Sequence, residues 1–159
     1  MLFQKVSVPI DSDVYVYFLE REYFSHMNHC IGTHNLNTNI TVNLGCTLEA
    51  RAFQRDIENY RKLNAQIVGV SVDPPETNAQ FCSAEGLDFY MLSDIGGRVS
   101  KLYGTALSVP GFGTFSNRQT YIIDPNGKLR YVFTDVESRI PRHSGEVLEK
   151  LSELEQATA

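Results

Sequence analysis

The fold is decided by residues 67–75, which read IVGVSVDPP. A short β-branched run of this kind is typical of a strand inside a sheet that is covered on both faces. The run ends at Asp73, and Pro75 suits the first turn of a helix because the N–H that proline lacks would be unpaired there. That helix is predicted over residues 76–85, since glycine, here Gly86, commonly follows a helix end. The stretch therefore predicts a buried strand followed directly by a helix.

A helix is also predicted ahead of this strand, over residues 48–63. Its apolar side chains have the three-and-four spacing of one helix face: Ala52, Phe53, Ile57, Tyr60 and Leu63. Arginine and glutamate side chains occupy the intervening positions and suit a solvent face. We expect one continuous helix over the whole range.

Short strands and helices alternate further along the chain. Strands are expected over residues 89–92 and 118–123, and a short helix over 97–103 that Gly104 closes. An alternating order of this kind predicts connections that cross the faces of one sheet.

The C-terminal part of the chain predicts a hairpin and a last helix. The sequence DPNG at 124–127 is a strong turn signal, so residues 128–134 should return antiparallel to the strand before the turn. Ser144 is expected to cap the last helix. The apolar face of that helix consists of Val147, Leu148, Leu151 and Leu154.

This order of elements predicts an α/β, thioredoxin-like fold with a mixed central sheet flanked by helices. Flavodoxin-like folds alternate in a similar way but end in strand and helix units without a C-terminal hairpin, so they rank second. A length of 159 residues fits a single domain, and we expect one domain over residues 1–159.

Composition and charge argue against nucleic-acid binding, a membrane span and a secreted disulfide scaffold. The net charge of −5 and a pI near 5.3 argue against nucleic acid, because such binders cluster Lys and Arg against phosphates. No run approaches the roughly 20 apolar residues of a membrane span, and Asp11 and Asp13 interrupt the stretch where a signal peptide would be apolar. Three cysteines are too few for a secreted disulfide scaffold. We expect a monomer in a reducing compartment, the cytoplasm, with a plastid as the alternative.

Cys46 is the strongest candidate for chemistry. It lies where the predicted helix over 48–63 begins, and the N–H groups and dipole of a helix N-terminus favour an anionic sulfur. The thiolate is the form that attacks an O–O bond. The alternative interpretation is a buried, inert cysteine.

Five sequence blocks from Gly45 onward resemble, in order and spacing, the peroxiredoxins of the PrxQ type, also called bacterioferritin comigratory proteins. The blocks are GCTLEARAFQRD at 45–56, VGVSVD at 68–73, LSD and GG at 92–97, KLYG at 101–104 and RQTYIID at 118–124. The resemblance covers residues 45 to about 154. It implies a thiol-dependent peroxidase that reduces hydrogen peroxide and organic hydroperoxides, with no metal or organic cofactor.

The resemblance also implies roles for individual residues. Cys46 is the peroxidatic cysteine, which hydroperoxide oxidises to sulfenic acid. Arg118 lies beside the sulfur and donates hydrogen bonds to the peroxide oxygens, and Glu49 orients that arginine. The alternatives are a surface arginine at a strand start and a favourable charge in the first helical turn.

Resolution of the sulfenic acid needs a second thiol, and the resemblance implies Cys82. Many PrxQ proteins carry this thiol five residues after the first cysteine, but that position is Arg51 here. Cys82, on the next helix, matches a second arrangement in the same family, in which an intramolecular disulfide forms after local unfolding. Its alternative role is a structural core cysteine. Thioredoxin or a similar dithiol would then reduce the disulfide.

The chain departs from the family pattern ahead of Cys46. Asn39 and Asn43 stand where the family has Pro and Thr or Ser. The amide of Asn43 has both a donor and an acceptor, so it can replace the missing hydroxyl in part. We expect Asn43 and Thr47 to bind the peroxide, and we expect the peroxidase rate to be lower than with the usual Pro and Thr or Ser. A redox-inactive thioredoxin-like protein that has lost the peroxide pocket is the alternative function.

Residues 1–43 form the atypical part of the chain, expected to be poorly ordered. Residues 14–19 predict a strand, but a link of about 26 residues to Cys46 is longer than usual, so the central strand of the family is not recognised here.

The same part contains a group of possible metal ligands, His26, His29, Cys30 and His34. Their spacing matches no standard zinc set, and we expect a polar loop without metal.

Overall fold

The computed structural model describes residues 14–19, 39–111 and 113–157, and of 14–19 and 39–44 it describes the backbone alone. The strands are β1 Val14–Leu19, β2 Ala65–Ser71, β3 Tyr90–Ser93, β4 Ala106–Val109, β5 Gly113–Ser116, β6 Gln119–Ile123 and β7 Leu129–Phe133. The helices are α1 Asn39–Arg55, α2 Ile57–Lys62, α3 Pro75–Glu85, α4 Arg98–Leu102 and α5 Ile140–Gln156, and a 3₁₀ helix spans Glu137–Arg139.

Five strands form the main sheet, in the order β3-β2-β1-β6-β7. β1 runs parallel to β2 and antiparallel to β6, while β2 and β3 are parallel and β6 and β7 are antiparallel. The sheet is therefore mixed, as the alternation of elements predicts. The turn at 124–127 connects β6 and β7 as the expected antiparallel hairpin.

The position of β1 corrects one of the expectations for residues 1–43, and residues 1–13 and 20–38 lie outside the described residues. Val14–Leu19 lies in the middle of the sheet, where Val16 is paired with Ile67 on one side and with Ile122 on the other. The long link to α1 does not prevent this pairing, because the entropic cost of closing a loop grows only slowly with its length. The statement that no central strand is recognised before Cys46 is thus wrong.

The helix expected over 48–63 is two helices. α1 begins at Asn39, and Asp56, with φ −96° and ψ 5°, separates it from α2. Cys46 lies seven residues after the start of α1, about two turns inside it. The prediction that Cys46 lies at a helix N-terminus is therefore wrong.

The start of the last helix is also corrected. α5 begins at Ile140, with Pro141 in its first turn, and Ser144 lies inside the helix and is buried. The carbonyl of Ser144 accepts a hydrogen bond from the hydroxyl of Tyr60 at 2.8 Å, so this residue joins α5 to α2 rather than capping a helix. The hairpin of β4 and β5 was not predicted.

Both faces of the sheet are covered. Ile67 and Ile122 pack on one face with Phe53 of α1 and with Val147 and Leu151 of α5. The alternate residues of the same strands form a second cluster on the other face: Val68, Val70, Tyr121 and Ile123. The expected apolar face of the last helix and the expected two-sided burial of β2 are both confirmed. Among the described residues, no helix combines the length and the hydropathy needed to cross a membrane.

Candidate active site

Cys46 and Glu49 lie three residues apart on α1 and point to the same side of the helix. The whole Cys46 residue is 5% exposed and Glu49 is fully buried. Arg118, which directly precedes β6, is 4% exposed. The three residues meet, although 72 positions separate Cys46 from Arg118 in the chain.

The guanidinium of Arg118 makes three contacts with acidic groups. Its Nη2 lies 3.3 Å from the sulfur of Cys46, as a hydrogen-bond donor. Its Nη1 donates to Oε2 of Glu49, and its Nε donates to Oε1 of Glu137 at 3.2 Å. The planar fork of arginine allows all three bonds at once, which a single ammonium nitrogen could not make.

The pKa values of Arg118 and Glu49 each depend on burial and on the charge of the other residue. Burial would lower the pKa of Arg118, but Glu49, Cys46 and Glu137 outweigh it, and the pKa rises above its usual value. Arg118 is therefore positively charged at any accessible pH. Burial raises the pKa of Glu49 against the opposing influence of Arg118. The ion pair of these two residues is almost completely shielded from water, with side-chain exposures of 2% and 0%.

Hydrogen bonds hold the segment that carries Arg118. The N–H of Asn117 donates to the carbonyl of Thr105 at 2.8 Å, and the Ser116 hydroxyl donates to the Thr105 hydroxyl at 3.0 Å. On the other side of Arg118, the hydroxyl of Thr120 and Nε2 of His143 form a buried hydrogen bond of 2.8 Å. These bonds fix the chain just before and just after the guanidinium.

His143 is a buried histidine of α5 that the sequence did not single out. Burial is the main reason that its pKa falls to about 4. Glu146 opposes this shift, and the charges of Arg139 and, less strongly, Arg118 lower the pKa further. It is neutral at physiological pH. Glu137, on the 3₁₀ helix, was missed as well, because it belongs to no periodic pattern.

The described structure contains Cys46 and Cys82 as thiols, not as a disulfide. Cys82 lies on α3, as predicted, and is partly exposed. An ion pair between Arg51 and Glu85 connects α1 to α3 and lies three residues from Cys82 along the helix. This ion pair links the helices of the two cysteines, although the two sulfurs are not bonded.

The remaining predicted site residues are described only in part. Thr47 follows Cys46 on α1 and is partly buried, and Asn43 belongs to the same helix by its backbone. The group His26, His29, Cys30 and His34 lies outside the described residues. Within the described ranges, no set of three or more His, Cys, Asp and Glu side chains is arranged to hold a metal ion.

Comparison with known proteins gives a family. The model of the AhpC/TSA family matches residues 42–132. Peroxiredoxin Q, chloroplastic, from Oryza sativa subsp. japonica is 36% identical over 110 residues, which are 69% of this chain and 49% of the relative. The protein of the same name from Triticum aestivum is 34% identical over 110 residues, with 69% and 49% covered. The chain spans about half the length of these curated relatives.

Comparison with solved structures gives the fold. Peroxidoxin BcpB from Mycobacterium tuberculosis matches with a TM-score of 0.72 and 24% identity, over 90% of this chain and 80% of that one. A PrxQ mutant from Xylella fastidiosa matches with a TM-score of 0.69 and 22% identity, over 89% and 77%. The predicted α/β, thioredoxin-like fold is thereby confirmed.

Proposed function

The chain belongs to the AhpC/TSA family, and we propose that it is a thiol-dependent peroxidase that reduces hydrogen peroxide and organic hydroperoxides. The resemblance to the PrxQ type, predicted from five sequence blocks, is confirmed by relatives that carry the name peroxiredoxin Q. The observation that carries the proposal is the contact of 3.3 Å between Nη2 of Arg118 and the sulfur of Cys46. A buried cation beside a buried thiol is an arrangement that favours the thiolate.

In the proposed first step, the thiolate of Cys46 attacks one oxygen of the peroxide. An S–O bond forms and the O–O bond breaks, so the sulfur is oxidised to sulfenic acid and the peroxide is reduced. The departing oxygen leaves as hydroxide or alkoxide and takes up a proton to give water or an alcohol. Arg118 donates hydrogen bonds to the oxygens as negative charge develops on them. Glu49 keeps the guanidinium in place, as a buried partner of Nη1.

In the proposed second step, the thiolate of Cys82 attacks the sulfur of the sulfenic acid. A disulfide forms and water is released, with the proton coming from the surrounding solvent. The Cα atoms of the two cysteines must come within about 7 Å for the disulfide to form. We propose that local opening of α1 or α3 allows this approach. A dithiol reductant such as thioredoxin then restores both thiols.

The test is the reaction of the protein with hydrogen peroxide in stopped flow, followed by mass spectrometry of the product. Wild type should consume peroxide and form a Cys46–Cys82 disulfide within one chain. Cys46→Ser should abolish the reaction, while Cys82→Ser, a matched loss of one thiol, should keep the first oxidation and stop at sulfenic acid. A sulfenic acid that persists in wild type would instead show a one-cysteine mechanism.

A redox-inactive thioredoxin-like protein is the second candidate. Asn39 and Asn43, at the positions where the family has Pro and Thr or Ser, favour it. Equal and negligible peroxide consumption by wild type and Cys46→Ser would support this candidate and exclude the peroxidase.

The proposal extends to organisation and location. We place the activity in a single thioredoxin-like domain that acts as a monomer and takes its electrons from a thiol reductant. The rice and wheat relatives are named as chloroplastic, which favours a plastid over the cytoplasm first expected. Size-exclusion chromatography with light scattering tests the monomer, and imaging of a fluorescent fusion tests the compartment.

A further inference from the structure

Glu137 contacts the active-site arginine from outside the helix that carries the cysteine. It lies on the 3₁₀ helix between β7 and α5, and its side chain is 50% exposed. Its Oε1 accepts a hydrogen bond from Nε of Arg118 at 3.2 Å. The guanidinium is therefore shared between the sulfur and two carboxylates, one buried and one at the surface.

We propose that Glu137 is a positioning residue that sets the acidity of the Cys46 thiol by competing with the thiolate for the charge of Arg118. This inference rests on the proposed peroxidase function. One positive charge faces as many as three negative ones, from Cys46, Glu49 and Glu137, so each anion reduces the attraction that is left for the others. Glu137 thereby keeps the thiol less acidic than Arg118 and Glu49 alone would make it.

Glu137 is suited to this role because it is at the surface. The charge of Glu49 cannot be removed without leaving Arg118 buried beside a weaker partner, which is costly. The charge of Glu137 can be removed at the edge of the site, where water replaces it. The acidity of the thiol can thus change while the buried Arg118–Glu49 pair remains intact.

Three further titratable groups lie close to one another beside this site, namely His143, Arg139 and Glu146. From α5, His143 is already neutral where a thiol titrates, since its pKa is about 4. Arg139 and Glu146 form an ion pair of 3.4 Å with each other. A shift of the Cys46 titration on substitution of Glu137 can therefore be attributed to Glu137.

The size of the effect follows from the path through the guanidinium. The two hydrogen bonds of 3.2 Å and 3.3 Å and the guanidinium between them make this path roughly 9 Å long from the carboxylate to the sulfur. The half-exposed position of Glu137 requires a high effective dielectric. Removing the charge should then lower the pKa of the Cys46 thiol by about half a unit.

The experiment is a titration of the thiol in the full-length chain. All variants also carry Cys30→Ser and Cys82→Ser, which leave Cys46 as the single cysteine of the chain. The ultraviolet absorbance of its thiolate is then measured as a function of pH. Glu137→Gln removes the charge and keeps an acceptor for Nε, while Glu137→Asp keeps the charge. Glu153→Gln, near the other end of α5, removes the same charge from an exposed ion pair with Lys150 and is the matched control.

The expected result is a lower Cys46 pKa in Glu137→Gln alone, with the Asp variant and the Glu153 control at the wild-type value. An unchanged or higher pKa in Glu137→Gln overturns the inference, as does an equal shift in the Asp variant or the control. The titration needs no turnover, so the inference and the proposed function fail separately. If the chain consumes no peroxide but its thiol pKa shifts as expected, the charge competition is supported and the peroxidase function is excluded.

Discussion

Replacing Arg118 by lysine keeps the positive charge of the site and removes its geometry. Arginine contacts the sulfur of Cys46, the carboxylate of Glu49 and the carboxylate of Glu137 with three different nitrogens. The one nitrogen of lysine cannot reach all three acceptors. We expect the lysine ammonium to pair with the fully buried carboxylate of Glu49, because leaving that buried charge unpaired would cost more than losing either of the other two contacts.

The expected magnitude follows from the bond that is lost at the sulfur. A hydrogen bond that involves a charged group contributes about 1.5–3 kcal/mol. At about 1.4 kcal/mol per factor of ten, Arg118→Lys should reduce the rate constant of Cys46 oxidation by about 10-fold to 150-fold. The free energy of unfolding should fall much less, because Glu49 keeps a cationic partner and the half-exposed Glu137 contributes at most about 1 kcal/mol.

The assay is stopped-flow oxidation by hydrogen peroxide, measured over a pH series so that the loss of thiolate can be separated from the loss of the hydrogen bond. Arg142→Lys is the matched control, because Arg142 is 69% exposed and forms an ion pair with Glu146 on the surface of α5. The control should react like wild type. Rates for Arg118→Lys within about threefold of wild type at every pH would refute the reasoning, since charge alone would then be enough.

Two further predictions concern the stability of the fold. Burial lowers the pKa of His143 from 6.5 to about 4, so between these values the unfolded chain binds a proton that the folded chain does not. The free energy of unfolding should therefore decrease as the pH falls through this window, by about 3 kcal/mol in total. Urea denaturation at several pH values should show this slope in wild type and a smaller one in His143→Gln; equal slopes would assign the effect to other groups. Tyr60→Phe should lower the free energy of unfolding by about 1 kcal/mol, because the buried hydrogen bond from the Tyr60 hydroxyl to the carbonyl of Ser144 is lost. The same denaturation assay checks this, and an unchanged midpoint would mean that another donor, such as water, replaces the hydroxyl.

The elements that the sequence predicts well are those with local signals at both ends. α3 has Pro75 in its first turn, and Gly86 follows it with a φ of 61°, a conformation that glycine adopts without strain. The turn at 124–127 likewise determines its hairpin without help from distant residues. Such signals depend only on the backbone preferences of a few neighbouring residues, so tertiary contacts seldom override them.

The elements that the sequence predicts wrongly depend on distant contacts. Ser144 has the side chain of a helix cap, but its carbonyl binds Tyr60 from 84 residues away. β1 has no link of familiar length to α1, yet it pairs with β2 along its whole length and with β6 from Tyr15 to Leu19. Cap and loop-length preferences are each worth only about 1 kcal/mol, so a buried strand or a buried hydrogen bond outweighs them.

The site was predicted by a different kind of information. Nothing local connects Cys46 with Arg118, and the family resemblance supplied that pair and Glu49. It could not supply Glu137, because that residue lies outside the five matched blocks. The contact with Nε becomes visible only when β7 and the 3₁₀ helix are placed next to β6.

The position of Cys46 inside α1 changes where the activating charge must come from. At a helix start, unpaired N–H groups and the dipole would stabilise the thiolate, but both effects fade within the first turn. About two turns inside a helix, backbone N–H groups are bonded to the carbonyls four residues earlier and are not available to a sulfur or a peroxide oxygen. Side chains must then supply the donors, and Arg118 contacts the sulfur as such a donor. The reactivity of Cys46 should for this reason be unusually sensitive to Arg118 and to the two carboxylates that share it, and comparatively insensitive to charge changes at the start of α1.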